Sequence, residues 1–419
     1  MTAPAKRPLK IAIISQYFWP EVFPINQMAE ALAERGHQIE VLTGLPNYPA
    51  GKPFKGYGLL GPWQEVRKGI VIKRVPQFSR GTTRLGLVAN YFSFALSSFF
   101  LSLVRLRGDY DVTLTNQPSP LLGVVGAFPQ VLFRRKPMVL WVQDLWPESL
   151  EIAGLKSRLV WWAMDRLMRL TYRLSDKVFV QSRAFSEHAR RHGVPAGRIE
   201  YVPNWADAQY RPVDVAEAAE EDAEMPSGIR FLYAGNIGEA QCIPTLVETA
   251  TLLKGNPDIR IIVIGDGRMR PWLEAEIERR QLGATLCYLG HRPSAKMPYY
   301  FAASNALLLT LRKNETMAFT IPSRLQAFLA GGRPVIAALD GEAKRIVVES
   351  GSGIGAEAEN ADSLRDALLS FAAMGEAERG AMATASHACS LAEFDAGQIV
   401  DRVEEALRLI ADGRSATLE

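Results

Sequence analysis

Residues 141–151, WVQDLWPESLE, place Gln143, Asp144 and Glu148 directly after an apolar run. Carboxylates just beyond a buried parallel strand stand at the sheet edge where ligands bind, so one of them could accept a proton or hold a hydroxyl. Asp144 could equally cap a helix ahead of Pro147, and both readings stay open. A second stretch, FTIPSRLQAFLAGGRPVIAAL (319–339), has Pro322 and Ser323 to start a short helix and Gly331 and Gly332 to stop it. The unpaired N–H groups of such a start suit a diphosphate, with Ser323 and Arg324 adding donors; simple capping is the other reading. YAGNIGEAQ (233–241) and GDGRMR (265–270) each run from an apolar segment into a glycine-flanked loop, and the second brings Arg268 and Arg270 to the same edge.

Other chemistries find less support. The loop after the first strand pattern reads SQYFWPEVFPIN, so the glycine-rich dinucleotide fingerprint is missing where it would have meaning. GSGIG (351–355) follows a helix pattern and reads as a turn. Asp109-Tyr110-Asp111 spells a D-x-D but precedes a strand, which makes it a solvated turn. Among the histidines only His188 and His192 share a helix face, and without an HExxH context a surface helix is expected, with no metal. Cys242, Cys287 and Cys389 are far apart and form no CxxC, which fits a reducing compartment. MTAPAKRPLK leads straight into IAIIS with no signal-peptide pattern.

The positioning elements are short β-branched runs alternating with amphipathic segments, the pattern of βαβ units and parallel sheets. Strands are predicted at 9–15, 39–43, 70–75, 111–115, 137–142, 177–181 and 199–203, then at 229–235, 259–267, 286–290, 306–311 and 334–339. Between the two sets lies an acidic, Ala-rich stretch. This divides the 419 residues into an α/β domain over 1–207, a linker over 208–228 and a second α/β domain over 229–395. A helix over 396–413 follows; its apolar stripe at 399, 403, 406, 407 and 410 would close the second domain or brace the first. Two such domains would offer ligand-binding strand ends across a cleft.

Residues 85–104, LGLVANYFSFALSSFFLSLV, carry no charge and would form a helix of roughly 30 Å, enough to span a bilayer. Spanning would divide the strands of one sheet between compartments, which leaves a core helix or a helix at the membrane interface. Charge favours the interface. Residues 1–207 hold 27 Lys+Arg against 15 Asp+Glu, a balance of +12; the remaining 21 against 30 give −9. Arg158, Arg166, Arg169 and Arg173 fall within about 80° on one helix, with Trp162 among them. Basic residues with Trp suit an anionic lipid surface, whereas nucleic acid would call for stacking aromatics within a basic groove. The predicted docking residues are Phe92, Phe94, Phe99, Phe100, Arg105, Trp162, Arg166 and Arg169, with Gly86, Asn90, Ser93 and Ser97 resting on the domain.

Long strings here resemble the retaining glycosyltransferases of family 4, which have the GT-B fold of two Rossmann-like domains, and within them the WbuB-type subgroup. They are QYFWPEVFPIN, TGLPNYPAGK, QPSP, WVQDLWPESL, VPNWAD, AGNIGEAQ, GDGRM and TIPSRLQAFLAGGRPVIAALDGE. The resemblance implies sugar transfer with retention and no required metal or cofactor. The donor is a UDP-sugar, expected to be an N-acetylated 6-deoxyhexosamine such as N-acetyl-L-fucosamine. An undecaprenyl-diphosphate-linked acceptor would be met at the cytoplasmic face of the inner membrane, in surface polysaccharide assembly. By position, Asn236 and Gln241 replace the Arg and Lys that hold the donor diphosphate in the wider family. Phe319 and Ala327 replace its paired glutamates. Arg268, Lys313 and Arg324 are then expected to supply charge, with His291, Thr320 and Ser323 completing the donor set. Glu21 and Asp144 are the expected catalytic or sugar contacts, with Asn26 and Gln143 beside them. The departures leave two alternatives: a GT-B sugar-nucleotide epimerase, and a non-catalytic membrane-bound partner.

Overall fold

The computed structural model describes residues 7–58, 60–81, 83–123, 131, 136–149 and 157–413. They form two compact units. Residues 1–202 with 397–419 make the first, and 203–396 the second.

The first unit is built on β1 (Lys10–Ser15), β2 (Gln38–Thr43), β3 (Gln64–Arg67), β4 (Ile70–Arg74), β5 (Val112–Gln117), β6 (Met138–Val142), β7 (Lys177–Val180) and β8 (Ile199–Tyr201). Their order is β3-β4-β2-β1-β5-β6-β7-β8. All neighbours are parallel except β3 and β4. That hairpin turns on Lys68 and Gly69, both at positive φ (47° and 77°), the geometry of a two-residue turn that matches strand twist. Strands β5 and β6 are buried at every residue, as expected where helices cover both faces of a parallel sheet. Chain order reverses between β1 and β5, so the strand ends there form the natural binding crevice of this unit.

The second unit holds β9 (Ile229–Ala234), β10 (Ile259–Ile264), β11 (Leu286–Tyr288), β12 (Ala306–Thr310), β13 (Val335–Ala338) and β14 (Gly353–Ala356), ordered β11-β10-β9-β12-β13-β14 and parallel. Its reversal lies between β9 and β12. Strand β14 corrects the turn expected at GSGIG: Gly353 pairs with Val335, and a Cβ there would lie 1.8 Å from the Val335 carbonyl oxygen.

The expected linker at 208–228 is corrected too. Val213, Ala218 and Met225 enter the second unit's core, and a helix spans Ala219–Glu224. Its acidic residues meet basic partners: Lys296 lies 2.9 Å from Glu220 and 2.8 Å from Glu221, and Arg292 3.1 Å from Glu224. The boundary falls before Pro203, so PNWAD belongs to the second unit.

The helix Ala396–Ala411 joins the first unit. It buries Ile399, Val403, Ala406, Leu407 and Ile410, the stripe expected from sequence. Glu404 holds Arg35 at 2.9 Å and His37 at 3.3 Å, and Arg402 donates to the Tyr201 carbonyl at 2.7 Å.

The uncharged stretch is the helix Arg84–Arg105, long and apolar enough to cross a membrane. Thr83 caps it, accepting from the Gly86 N–H at 3.0 Å. One face is docked on the first unit along most of its length. Ser93 accepts from the Phe78 N–H at 2.9 Å, Ser97 donates to the Pro76 carbonyl at 2.6 Å, and Ser98 and Ser102 are buried. Phe94 is buried among Leu42, Val75 and Leu122, which corrects its assignment to the docking surface. It lies one turn from Asn90 and so shares the docked face. The opposite face stays open: Leu85, Val88, Phe92, Leu96, Phe100 and Val104 are all exposed.

Candidate active site

In the first unit, the loop after β1 and the loop after β2 are held together by Glu21. Its carboxylate is 2% exposed and accepts from the backbone N–H of Asn47 and Tyr48, each at 2.7 Å, and of Phe18 at 3.3 Å. Burial pushes the Glu21 carboxyl up to about 7, against the opposing pull of those three N–H groups. Both oxygens are spent on the backbone, so Glu21 shapes the wall and offers no open face to a substrate. Asn26, also buried, donates to the Glu21 carbonyl at 2.6 Å and locks the same turn.

The wall carries an aromatic cluster. Tyr17 stacks on Phe23 with centroids 5.2 Å apart, and Tyr48 lies 5.6 Å from Tyr17. The Arg80 guanidinium sits 5.4 Å from the Tyr48 centroid, and Tyr91 feels the charges of both Arg80 and Asp144. Asp144 follows β6, exposed at its surface but crowded by protein, and that desolvation raises its carboxyl to about 6. It is the open carboxylate of this edge. Gln143 is half-buried beside it, and its carbonyl accepts from Gln181. Tyr17, Tyr48 and Tyr91 were not singled out from sequence. Tyr17 and Tyr48 do lie within the strings QYFWPEVFPIN and TGLPNYPAGK, Arg80 precedes the apolar helix, and Tyr91 lies within it.

In the second unit, a cavity of about 500 Å³ opens at the ends of β9 and β10. Gly235, Asn236, Gly265 and Asp266 form its polar rim, with His291 and Arg292; Tyr210, Met297, Phe301 and Phe328 form an apolar floor. Glycine is required at the rim: Gly265 holds φ 150°, and a Cβ there would lie 1.8 Å from the Gly235 carbonyl oxygen. Arg324, from the first turn of the helix Ser323–Ala330, lines the cavity. Its guanidinium packs 5.0 Å from the Tyr233 centroid, Nη2 donates to the Thr310 carbonyl at 3.3 Å, and Nη1 is buried without a partner. A buried, unpaired guanidinium N–H is costly, so Arg324 carries an unused donor in the cavity wall.

The remaining expected donor residues divide. Asn236 Nδ2 donates to Gln241 Oε1 at 2.9 Å, so the two neutral side chains satisfy each other at the cavity rim. Arg268 and Lys313 are exposed and are not among the cavity-lining residues. Thr320 donates to the Thr316 carbonyl at 3.2 Å, and Ser323 is exposed outside the lining.

Two family models cover the chain: a glycosyl transferase 4-like domain over residues 25–205 and a glycosyl transferases group 1 domain over residues 217–385. The chain is a GT-B glycosyltransferase of the family 4 type. It is 26% identical to a protein described as a colanic acid biosynthesis glycosyl transferase, WcaI of Escherichia coli K12, over 79% of this chain and 83% of that one. Sucrose-phosphate synthase from Thermosynechococcus elongatus is similar in structure, with a TM-score of 0.74 and 18% identity over 97% of this chain and 100% of its own. So is Anabaena HepE in complex with UDP, at 0.71 and 17% over 96% and 100%. A UDP-forming trehalose-phosphate synthase from Burkholderia vietnamiensis gives 0.72 and 14% over 98% and 99%. The glycosyltransferase assignment sets aside the epimerase and the non-catalytic partner.

The Glu21 carboxyl is easier to protonate in the folded protein than in the unfolded chain, where its value is near 4.5. The folded state therefore binds more protons between about 4.5 and about 7, and stability falls as pH rises through that window. Glu21→Gln keeps an acceptor oxygen for Asn47 and Tyr48 and removes the titration. Urea unfolding from pH 4.5 to 8 is expected to show a flatter pH dependence in this variant; an unchanged slope would show that Glu21 is not its source.

Proposed function

We propose that this glycosyltransferase moves a sugar from a UDP-sugar to a polyprenyl-diphosphate-linked acceptor, with retention and without a required metal. It would act at the cytoplasmic face of the inner membrane in surface polysaccharide assembly. The observation that carries the donor half is the unpartnered Nη1 of Arg324 in the second unit's cavity. A diphosphate supplies the acceptor oxygens that this guanidinium lacks, and the Met297, Phe301 and Phe328 floor suits the less polar part of a nucleoside. The solved relative HepE is in complex with UDP, which agrees with a uridine donor. The resemblance to the WbuB-type subgroup points to an N-acetylated 6-deoxyhexosamine such as N-acetyl-L-fucosamine.

The membrane half rests on the open face of the helix Arg84–Arg105. Phe92 is 57% exposed and Phe100 60%, and Phe99 packs edge-on against Phe100 at 5.1 Å. On the helix Arg158–Leu174, Leu159, Trp161 and Trp162 are exposed as well. Arg166 lies 5.6 Å from the Trp162 centroid, beside exposed Arg158 and Arg173. Apolar side chains with basic residues and tryptophan suit an anionic interface. Arg169 is tied to Asp165 at 2.9 Å, and Arg105 donates to the Trp63 carbonyl at 3.2 Å, so these two contribute less than their positions in the sequence suggested.

A hydrogen bond to a charged group contributes about 1.5–3 kcal/mol, so Arg324→Ala is expected to weaken UDP binding roughly 10- to 100-fold by calorimetry. Lys313→Ala should bind UDP like the wild type. Equal UDP affinity in wild type and Arg324→Ala would remove the donor site from this cavity. Phe92→Asp/Phe100→Asp changes only exposed positions and should keep the fold by circular dichroism while failing to float with phosphatidylglycerol-containing vesicles. Flotation equal to wild type would move the docking surface elsewhere.

A further inference from the structure

His188 and His192, expected on an open surface helix, are instead packed inward against carboxylates. His188 lies in the last turn of the helix Arg183–Arg191, whose C-cap is His192, and the two rings lie 4.2 Å apart, tilted by 32°. His188 Nε2 is 2.9 Å from Glu148 Oε1, and His192 Nε2 is 3.1 Å from Asp165 Oδ1. One ligand atom from each of Glu148, His188 and His192 lies within 4.8 Å of the others.

Proton accounting leaves this cluster short of positive charge. His192 Nδ1 is 2.9 Å from the His188 carbonyl oxygen, which can only accept, so Nδ1 carries the hydrogen. The Nε2 of a neutral His192 would then present a lone pair to the Asp165 carboxylate. A proton or a metal cation must lie between them. Glu148 Oε2 is also buried and has no partner. Protons on both rings would stack two like charges at the centre of the cluster.

We infer that Glu148, His188 and His192 bind a divalent transition metal of the zinc class, with Asp165 closing the fourth side. Metal–nitrogen and metal–oxygen bonds of about 2.0–2.2 Å put the ligand atoms of a tetrahedron roughly 3.3–3.6 Å apart. The His188–Glu148 and His192–Asp165 pairs stand at 2.9 and 3.1 Å, so binding needs each pair to open by a few tenths of an ångström and the two pairs to draw together. Two of the outer contacts are those of a ligating site, on His192 and Asp165, while His188 Nδ1 is buried without a partner. His192 Nδ1–H is anchored on a backbone carbonyl, and Asp165 Oδ2 accepts from Arg169 at 2.9 Å. The metal would join three elements: the helix carrying Trp161 and Trp162 through Asp165, the helix Arg183–Arg191, and the loop on which Asp144 precedes Glu148. Its role is structural, and it fixes the Asp144 loop to the surface helix.

The test uses the full chain, stripped with EDTA, dialysed and titrated with zinc chloride by calorimetry. One equivalent of zinc is expected per chain, with a rise in Tm that EDTA reverses. Glu148→Gln and His192→Gln should each weaken binding about tenfold or more. Cobalt added to the stripped wild type should give the intense visible bands of a low-coordinate nitrogen and oxygen site, a reading that needs no variant to fold. No stoichiometric zinc, a hexaaquo-like cobalt spectrum, or equal affinity in folded variants would overturn the site.

Discussion

A single buried amide, Asn90, ties the uncharged helix to the working edge of the first sheet. Its Oδ1 accepts from Gln16 Nε2 at 2.9 Å and from the Tyr17 hydroxyl at 3.2 Å, and its Nδ2 donates to the Phe78 carbonyl at 2.6 Å. Gln16 and Tyr17 follow β1 directly, so the strand end, the aromatic wall and the helix move as one body. Leaving a buried donor or acceptor unpaired costs about 1–3 kcal/mol, so this arrangement fixes the helix's rotation. The serine face must dock, and the phenylalanine face must then look outward. An apolar surface is thereby attached to the site loops of the same unit.

The second unit shows a different economy of charge. Where basic side chains would be expected beside the glycine loop, Asn236 and Gln241 bond to each other, and cationic character passes to Arg324 under the cavity. The flanking arginines are committed elsewhere: Arg270 to Glu274 at 3.2 Å, Arg292 to Glu224 and Arg312 to Glu359 at 3.3 Å. One positioned guanidinium in a partly desolvated pocket interacts more strongly with a phosphate than several solvated ones.

Much of the architecture was legible because buried parallel strands are long apolar runs that need no tertiary information. Strand β3 was missed: QEVR is short, half-exposed and antiparallel, and its one clue is the Lys68-Gly69 turn. Strand β14 was hidden by its glycines, which signal turns unless a neighbouring strand approaches closely. The acidic run resembled a linker because its partners Arg292 and Lys296 lie more than sixty residues away in sequence. The histidine cluster was illegible for the same reason, since Glu148 is 40 residues from His188 and Asp165 27 from His192. Phe94 could have been placed correctly, being one turn from Asn90 on the polar face. Asp144 and Arg324 were singled out by strand-end and helix-start rules, and the structure puts the first just after β6 and the second in the cavity wall. The aromatic wall was missed because Tyr17, Tyr48 and Tyr91 come together only through the loops that Glu21 and Asn90 hold.

The central claim is that an apolar docking surface brings a UDP-sugar transferase to an acceptor confined to the membrane. The most direct measurement is transfer of label from a panel of UDP-sugars to a polyprenyl-diphosphate-linked sugar in vesicles, beside a short-chain soluble analogue. The account predicts that one UDP-sugar labels the vesicle-bound acceptor in preference to the analogue. Labelling of neither acceptor by any UDP-sugar, or equal labelling of both, would contradict it.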